Sequence, residues 1–176
     1  MKSTARILFL VATTLGANVA LADGESQSGS NGTSFSLALT IGEGMYFIDG
    51  DVYRGPASLE VVPSIGWPWV KLDLGLSTTL ESIQIAETSV GYWNFTFRPG
   101  GRLTSPILPL YLRIAFPLQF QQDDFDWGVM FGVGVDALVF GNIGVVLEVD
   151  TTLSKYLEWG GNGVPLEFRA GLSLHF

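Results

Sequence analysis

Apolar and polar residues alternate along the chain from Phe35 to Phe176. Five segments alternate with little interruption and place apolar residues at every second position of 35–41, 70–76, 108–116, 127–135 and 166–176. Successive side chains leave opposite sides of a pleated strand, so a period of two predicts β-strands. Segments at about 57–67, 90–98 and 143–153 follow the pattern with more exceptions, and Pro63 predicts a bulge or a locally unpaired amide in the first of them. The pattern predicts eight strands. Each is at least as long as the roughly 9–11 residues that a tilted strand needs to cross a bilayer.

The connections between these segments predict an up-and-down topology. Turns at 67–69, 99–106 and 140–142 fall at one end of the predicted barrel, and loops at 48–56, 81–89, 120–126 and 154–163 fall at the other. Short periplasmic turns and longer external loops are typical of outer-membrane barrels. The expected fold is therefore all-β, an eight-stranded antiparallel up-and-down transmembrane β-barrel.

The two faces of the strands differ in side-chain size. One face is almost wholly Leu, Val, Ile and aromatic, and the other is rich in Gly, Ser, Ala and Thr with a few charges of both signs. The interior of an eight-stranded barrel is narrow, so the small and charged face is expected inside and the apolar face outside, against lipid. A soluble, lipocalin-like barrel with an apolar interior is the alternative.

Charged residues on the inward face are expected to pair, because an uncompensated buried ion costs several kcal/mol. We expect Arg169 to pair with carboxylates of the seventh predicted strand, Glu148 and Asp150. The full predicted charge network of the lumen comprises Lys71, Asp73, Arg98, Arg113, Asp136, Glu148, Asp150, Glu167 and Arg169.

Aromatic residues gather near the predicted strand ends, where amphipathic rings suit the headgroup level of a membrane. One expected girdle, at the periplasmic end, comprises Trp67, Trp69, Phe140 and Phe176. The other, at the external end, comprises Tyr46, Phe47, Trp93 and Trp127.

Composition agrees with many short apolar segments. The chain of 176 residues is 47% hydrophobic and 15% charged with a mean hydropathy of +0.35. Beyond the first 22 residues it has no apolar run of the roughly 18–20 residues that a membrane helix needs. At the N-terminus, Lys2 and Arg6 precede an apolar stretch, and Ala20-Leu21-Ala22 suits cleavage before Asp23. We therefore expect a signal peptide over 1–22, a flexible periplasmic leader over 23–34 and the barrel over 35–176.

Charge and cysteine content exclude several classes of site. The formal net charge of −8 argues against nucleic-acid binding, which needs clustered Lys and Arg. The chain has no cysteine, so it has no disulfide and no thiolate chemistry. Oxygen ligands for a divalent cation are conceivable among the acidic loop residues, but solvated loops are the favoured interpretation, and we expect no metal and no cofactor. Those loop residues are Asp49, Asp51, Asp123, Asp124, Asp126 and Glu158.

The final eight residues, RAGLSLHF, resemble the assembly signal of bacterial outer-membrane proteins. Gly171, Leu174 and the terminal aromatic Phe176 stand at the matching positions. The chain thus resembles the small eight-stranded outer-membrane barrels: the OmpA-type transmembrane domain, OmpX-like proteins and opacity-type porins. The resemblance implies residence in the outer membrane, contact with its lipid and lipopolysaccharide, and recognition by the barrel-assembly machinery. It does not imply one activity.

The expected function is a structural or surface-interaction role for a monomeric, non-enzymatic barrel with a plugged lumen. A narrow porin-like channel for ions or small solutes is the first alternative. A lipid A-modifying hydrolase or acyltransferase is the second, and it would need Ser173 activated by His175, with Glu148 or Glu167 as the third member. A structural histidine at the rim of the lumen is favoured over that role.

Overall fold

The computed structural model describes residues 32–48, 50–85, 88–91, 95–120, 125–154 and 164–176. The predicted signal peptide and most of the predicted leader lie outside these residues. Within them, no helix is long and apolar enough to cross a membrane. The described strands are β1 (Ser34–Ile48), β2 (Asp51–Gly66), β3 (Val70–Thr79), β4 (Ser82–Ile85), β5 (Thr88–Gly91), β6 (Phe95–Thr104), β7 (Leu110–Ala115), β8 (Leu118–Phe120), β9 (Phe125–Phe140), β10 (Ile143–Ser154) and β11 (Val164–His175).

These strands close into an antiparallel ring. Its order is β1, β2, β3, β6, then β7 and β8 together, then β9, β10 and β11, which pairs back with β1. Strands β7 and β8 occupy one position, because both pair with β6 on one side and with β9 on the other. The ring is thus an eight-stranded up-and-down barrel, and the predicted fold is confirmed. Strands β4 and β5 form a separate two-stranded sheet.

The stagger of the strands follows from the register. Cross-strand partners lead from Ser34 through one residue of every strand in the ring, by way of Lys71, Arg113 and Glu167, and return to β1 at Gly44. One circuit therefore climbs ten residues along β1, from position 34 to position 44. A shear of this size is consistent with a strand tilt of roughly 35–45°.

The ladder between the first and last strands closes the barrel. Strand β1 pairs with β11 from Ser36 opposite His175 to Phe47 opposite Val164. Below that ladder the Phe176 amide donates to the Phe35 carbonyl at 2.8 Å, and their ring centroids lie 5.6 Å apart. We call this end the terminal rim, which also holds the turns at 67–69, 105–109 and 141–142. The opposite end is the distal rim.

Three predicted connections differ from the structure. The segment 99–106 was expected to be a turn, but β6 continues through it to Thr104 and the turn lies at 105–109. Its proline and glycines are held in place because Gly100 pairs with both Asp73 and Ala115, and the Pro99 carbonyl accepts a hydrogen bond from the Phe116 amide at 2.8 Å. Neighbouring strands on both sides thus override the local preference for a turn.

The other two differences lie at the distal rim. The expected loop 48–56 is a tight turn next to Gly50, whose φ of 88° favours glycine, and strand residues resume at Asp51. Of the expected fourth strand at about 90–98, the described residues from Phe95 belong to β6, whereas Val90 and Gly91 belong to β5, which pairs with β4. Pro63 is not a bulge. It pairs with Leu37 of β1 and is unpaired only towards β3, where the pairing skips from Val61 to Ser64 without a change of register.

The predicted inside and outside of the strands are confirmed. Strand β3 alternates strictly, with Lys71, Asp73, Gly75 and Ser77 buried and the intervening residues exposed. The exposed faces carry large apolar side chains around the ring, among them Leu39, Leu72, Leu112, Val133, Leu147 and Leu172. The barrel therefore has a polar interior and an apolar exterior, which excludes the lipocalin-like alternative with an apolar interior.

Candidate functional site: the charged lumen

The centre of the lumen is built around one carboxylate, Glu60 of β2, which is fully buried. Three guanidinium groups from three other strands approach it. Nitrogen atoms of Arg113 and Arg169 each lie 3.0 Å from a Glu60 oxygen, and one of Arg98 lies at 3.7 Å. Charge-assisted contacts of this kind are stronger than neutral ones. Glu60 therefore links strands β2, β6, β7 and β11 across the barrel.

Arg113 is one of two lumen arginines that each contact three carboxylates. Besides Glu60, its Nη1 lies 3.1 Å from Glu148 Oε1 of β10, and its Nε lies 3.3 Å from Asp73 Oδ2 of β3. The second oxygen of Glu148 accepts a hydrogen bond from the Tyr111 hydroxyl at 2.6 Å. The side chains of Arg113, Glu60 and Asp73 are at most 1% exposed. These side chains are thus shielded from bulk water, and each charge depends on the others.

Arg169 pairs with one of the two predicted β10 carboxylates, Asp150, whereas Glu148 pairs with Arg113. Arg169 Nε lies 3.0 Å from Asp150 Oδ2, and its Nη2 lies 2.5 Å from Glu167 Oε2. Glu167 also lies 3.3 Å from Arg98 Nη2 and accepts a hydrogen bond from the Ser58 hydroxyl at 2.5 Å. This part of the network lies on the distal side of Glu60.

A second part of the network lies on the side of the terminal rim. Arg102 Nε lies 3.0 Å from Asp73 Oδ2, and its Nη1 lies 3.8 Å from Asp136 Oδ2. The guanidinium carbon of Arg102 also lies 4.4 Å from the centroid of the Tyr111 ring, a cation–π contact. Arg102 therefore joins the terminal rim to the central carboxylates.

His175 lies in a cluster with Ser173 and Asp136 at the terminal rim. Its Nε2 lies 3.0 Å from Ser173 Oγ and 3.1 Å from Asp136 Oδ1, and the Ser173 hydroxyl lies 2.7 Å from the same Asp136 oxygen. A catalytic relay instead uses one ring nitrogen for the serine and the other for the carboxylate. The carboxylate in this cluster is Asp136, whereas Glu148 and Glu167, the third members considered from sequence, point to Arg113 and Arg169.

Glycines provide the space that the long side chains occupy. A Cβ built on Gly75 would overlap Glu60 Oε1 and lie 2.8 Å from Arg113 Nη2. A Cβ on Gly134 would overlap the Tyr111 ring, and one on Gly42 would lie 2.9 Å from Arg169 Cγ. The small residues of the inward face thus fill the gaps between charged side chains that cross the lumen.

All nine residues of the predicted charge network face the lumen, and eight of them form ion pairs there. The exception among the described contacts is Lys71, whose Nζ donates a hydrogen bond to Ser36 Oγ at 3.4 Å. The sequence prediction left out Glu60, Arg102 and Tyr111. Strict alternation along β2 places Glu60 inward. Arg102 lies within 99–106, the expected turn, and was therefore not assigned to an inward strand face.

The predicted aromatic girdles are present in part. At the terminal rim, the exposed fractions of Trp67, Trp69, Phe140 and Phe176 are 55%, 62%, 79% and 70%. At the distal rim, Trp127 and Phe47 are exposed, and Trp93 lies outside the described residues. The expectation for Tyr46 is wrong. It shares the inward parity of Ser36 and Thr40, and its ring fits over Gly55, where a Cβ would lie 2.9 Å from Tyr46 Cε2.

The acidic residues expected in loops differ in their exposure. Asp51 is exposed, whereas Asp126 is 9% exposed, faces the lumen from β9 and accepts a hydrogen bond from the Trp127 amide at 2.7 Å. Asp49, Asp123, Asp124 and Glu158 lie outside the described residues. Among the described residues, no group of three or more His, Asp or Glu side chains is placed to hold a metal ion.

A second charged cluster lies on the outer wall, near the distal rim. Arg54 Nε lies 2.7 Å from Glu43 Oε1, and its Nη2 lies 2.5 Å from Glu81 Oε1. The Ala57 amide also donates to Glu81 at 3.0 Å. We call Glu43, Arg54 and Glu81 the outer-wall cluster. It fastens the segment after β3 to the wall formed by β1 and β2.

Comparison with known proteins gives similar solved structures but no family. No protein-family model and no curated protein matches the sequence. A solved structure titled "De novo design of transmembrane beta-barrels" is similar with a TM-score of 0.47 and 16% identity, over 84% of this chain and 98% of the other. A second, the solution NMR structure of the de novo designed TMB2.3, has a TM-score of 0.46 and 13% identity, over 83% and 97% of the two chains.

Proposed function

We propose that this protein is an integral β-barrel of the bacterial outer membrane with a closed lumen and a structural or surface-interaction role. The observation that carries the proposal is the polarity of the closed barrel. Its ionised side chains are buried in the lumen, and Leu, Val, Ile and aromatic residues cover the outside. In water this arrangement would expose a continuous apolar surface, whereas in lipid it satisfies both faces. We also propose, on the resemblance of its last strand, that it belongs with the OmpA-type, OmpX-like and opacity-type barrels.

Membrane residence can be tested by fractionation. Full-length protein expressed in a Gram-negative host is expected in the outer-membrane fraction, extractable only by detergent and shortened by removal of residues 1–22. Purified protein is expected to refold into lipid vesicles with a heat-modifiable mobility on gels. Soluble, folded protein in the periplasmic fraction would contradict the proposal.

Assembly in cells is proposed to depend on the final strand and the barrel-assembly machinery. Phe176 and Phe140 are both exposed aromatic residues at the terminal rim, at 70% and 79%, but only Phe176 belongs to the proposed signal. The Phe176→Ala variant is therefore expected to slow assembly in cells, whereas Phe140→Ala is not. Both variants should refold similarly in vesicles without the machinery. Equal assembly rates in cells would contradict the proposed role of Phe176.

The closed lumen is supported by the middle of the network, where Glu60, Asp73, Arg113 and Met130 are each at most 2% exposed. An open aqueous path would expose these side chains to water. Planar bilayers containing refolded monomer are accordingly expected to show no sustained stepwise conductance. Regular conductance steps would favour the narrow porin-like channel instead.

We propose no catalytic role for the terminal-rim cluster. Ser173 and Asp136 share one nitrogen of His175, and Ser173 is 1% exposed, so lipid cannot reach it from outside the barrel. Lipid A from cells that express the protein should have the same mass spectrum as lipid A from cells with the His175→Ala variant. A modification lost in the variant would establish the enzyme alternative.

A further inference from the structure

Four inward-facing polar residues form a continuous row in the distal half of the lumen. Cross-strand partners lead from Ser77 of β3 through Thr96 of β6 and Gln119 of β8 to Asp126 of β9. Residues directly opposed on one face of a sheet have Cβ atoms about 4.5–5.5 Å apart, so neighbouring members of the row can contact one ligand. We call these four residues the distal row.

The distal row rises from the closed centre of the lumen towards the distal rim. Its lower end, Ser77, pairs with Glu60 in the ladder between β2 and β3. The stagger of the strands raises the row by about 3 Å at each step from β3 to β9. Beneath it, Arg98 Nη1 lies 3.8 Å from the sulfur of Met130, which is 0% exposed. The row therefore lies on the distal side of this closed centre.

The side chains of the distal row lack the partners that the terminal-rim cluster has. The three members of that cluster bond to one another. Ser77 and Thr96 are 5% and 6% exposed, yet their hydroxyls and the Gln119 amide make no hydrogen bond within the described part of the chain. The neighbouring Thr79 Oγ1 is also buried without a partner there. Buried polar side chains are almost always hydrogen-bonded to protein, water or ligand, so this row has free donors and acceptors for a ligand.

Asp126, at the upper end of the row, is a buried carboxylate with no cation beside it among the described residues. It is 9% exposed, and its hydrogen bond comes from the amide of the next residue, Trp127, to Oδ1. An ionised carboxylate away from water needs a counter-charge. The other described lumen carboxylates have one, because each lies 3.8 Å or less from an arginine nitrogen: Glu60, Asp73, Asp136, Glu148, Asp150 and Glu167.

The charges of the whole lumen also favour a cationic ligand. Among the described residues, the inward-facing acids outnumber the inward-facing Arg and Lys side chains, and they do so even with His175 protonated. The acids are Glu60, Asp73, Asp126, Asp136, Glu148, Asp150 and Glu167, and the cations are Lys71, Arg98, Arg102, Arg113 and Arg169. A neutral ligand would leave this excess of negative charge in place, whereas a cation offsets it.

A primary ammonium group suits the polar atoms of the distal row. It donates three hydrogen bonds, and the Asp126 carboxylate, the Gln119 side-chain oxygen and the Thr96 hydroxyl can all accept one. Charge-assisted bonds to a carboxylate are the strongest of these. The row offers a single carboxylate, and no described group of three or more His, Asp or Glu is placed for a metal ion. An ammonium group therefore fits the row better than a multivalent metal.

We propose that the distal row binds a small primary amine. Its ammonium group lies at Asp126 and Gln119, and a hydroxyl or other polar substituent lies at Thr96 and Ser77. The inference depends on the barrel fold and goes beyond the proposed structural role. Membrane residence is not required for it, so failure of one proposal leaves the other standing.

Binding is measured by NMR on protein refolded in dodecyl maltoside, a detergent without an amine, in phosphate buffer. Ethanolamine is the probe, and ethylene glycol, with a hydroxyl in place of the ammonium group, is its neutral counterpart. We expect ethanolamine to shift the signals of the Gln119 side-chain amide and the Thr96 methyl group saturably. A ligand of so few atoms binds weakly, so the titration extends to about 50 mM. Ethylene glycol and potassium chloride should leave both signals in place.

Three variants separate the charge of the site from its shape. Asp126→Asn keeps the side-chain shape and should weaken ethanolamine binding about tenfold or more. Asp51→Asn, the same substitution at an exposed position of the distal rim, should leave binding unchanged. Thr96→Val removes the hydroxyl and should weaken the binding of ethanolamine more than that of ethylamine, which has no hydroxyl. Unchanged amide signals of β1 and β11 show that each variant is folded.

The ammonium group can come from a soluble amine or from a lipid headgroup, so a further arm adds phosphatidylethanolamine or phosphatidylcholine to the micelles. A response to free ethanolamine assigns the site to soluble amines, and a response to phosphatidylethanolamine alone assigns it to that headgroup. Equal responses to both lipids would count against a primary ammonium site. The inference would be overturned by the absence of a saturable shift with ethanolamine, by equal shifts with ethylene glycol or potassium, or by unchanged affinity in Asp126→Asn.

Discussion

The lumen network and the outer-wall cluster use the same arrangement in opposite surroundings. In each, one arginine lies between carboxylates. Arg113 contacts Glu60, Glu148 and Asp73 at 3.0, 3.1 and 3.3 Å, and Arg54 contacts Glu43 and Glu81 at 2.7 and 2.5 Å. The Arg113 side chain is 1% exposed and that of Arg54 is 52% exposed. Contact distance therefore says little about the stabilisation that each provides. Burial determines the stabilisation, because only in the lumen does the loss of one partner leave another charge unpaired and away from water.

The comparison also explains why a membrane barrel carries charges inside. Its outer face is apolar and faces lipid, so burial of hydrophobic side chains in the interior does not specify how the strands pair. A connected set of ion pairs that spans β2, β3, β6, β7, β10 and β11 can form only when the strands are in one register. A shift of one strand by one residue would turn the lumen charges of that strand towards lipid. We infer that the lumen network specifies the register of the closed barrel.

The largest effect is expected from Arg113→Met, which keeps much of the side-chain volume and removes the charge. Glu60, Glu148 and Asp73 would each lose a cation, and breaking a buried pair costs about 3–5 kcal/mol. The loss should appear as a lower midpoint in urea-dependent unfolding from lipid vesicles. The matched control is Arg54→Met, with the same substitution on the outer wall. Equal losses in the two variants would refute the distinction between the regions.

A double-mutant cycle sharpens this test. Glu60→Gln removes the partner charge, so the Arg113→Met change should cost less in that background than in the unmodified protein. Additive losses would show that Arg113 and Glu60 do not depend on each other.

The next largest effect is expected from filling a glycine site in the lumen. The Gly75→Ala methyl group would overlap Glu60 Oε1 and crowd Arg113, and overpacking costs about 1–3 kcal/mol. Gly101 is the matched control on the outward face, because a Cβ there would meet nothing nearer than the Lys71 carbonyl oxygen at 3.7 Å. Urea unfolding should show a loss for Gly75→Ala and none for Gly101→Ala. Equal losses would mean that strand propensity, rather than lumen space, dominates.

Much of the barrel could be predicted from the sequence because one physical rule governs most of it. Strict alternation on β3 and β11 fixes which residues face lipid, and a narrow lumen fixes that the small and charged face is inside. The same rule, applied by parity, places Glu60 and Tyr46 inward. The position of Tyr46 near the strand end favours the girdle, but its parity with Ser36 places the side chain in the lumen.

The rest depends on contacts between strands that no local pattern encodes. Pro99, Gly100 and Gly101 have the composition of a turn, and their place in β6 follows from pairing with β3 and β7. Arg102 lies in the same segment and is therefore missing from the predicted charge network. Which arginine meets which carboxylate depends on the shear, since residues that meet across the lumen come from strands far apart in sequence. The sequence predicted the members of the network better than its pairs.

A small effect is expected from Arg54→Met on the outer wall. Exposed ion pairs contribute about 0–1 kcal/mol and are screened by salt. The unfolding midpoint in vesicles should therefore change little, and any difference from the unmodified protein should shrink as salt is raised from low concentration to about 0.5 M. A large, salt-independent loss would mean that this cluster is as obligatory as the lumen network.

The smallest expected effect is a local response of the outer-wall cluster to acid. Hydrogen bonds from the Ala57 amide and the Arg54 side chain lower the pKa of Glu81 below its ordinary value of 4.5. A lowered folded pKa means that the stabilisation is complete above pH 4.5 and is lost as the pH falls through the folded value. The neighbouring Leu80 amide, which donates to the Ala57 carbonyl at 2.8 Å, should then lose protection from hydrogen exchange.

The His175 amide, which donates to the Asn142 carbonyl at 2.8 Å, is the internal reference for this measurement, and Glu81→Gln should abolish the pH dependence at Leu80. Protection at Leu80 that tracks the reference at every pH would show that Glu81 does not hold this segment to the wall.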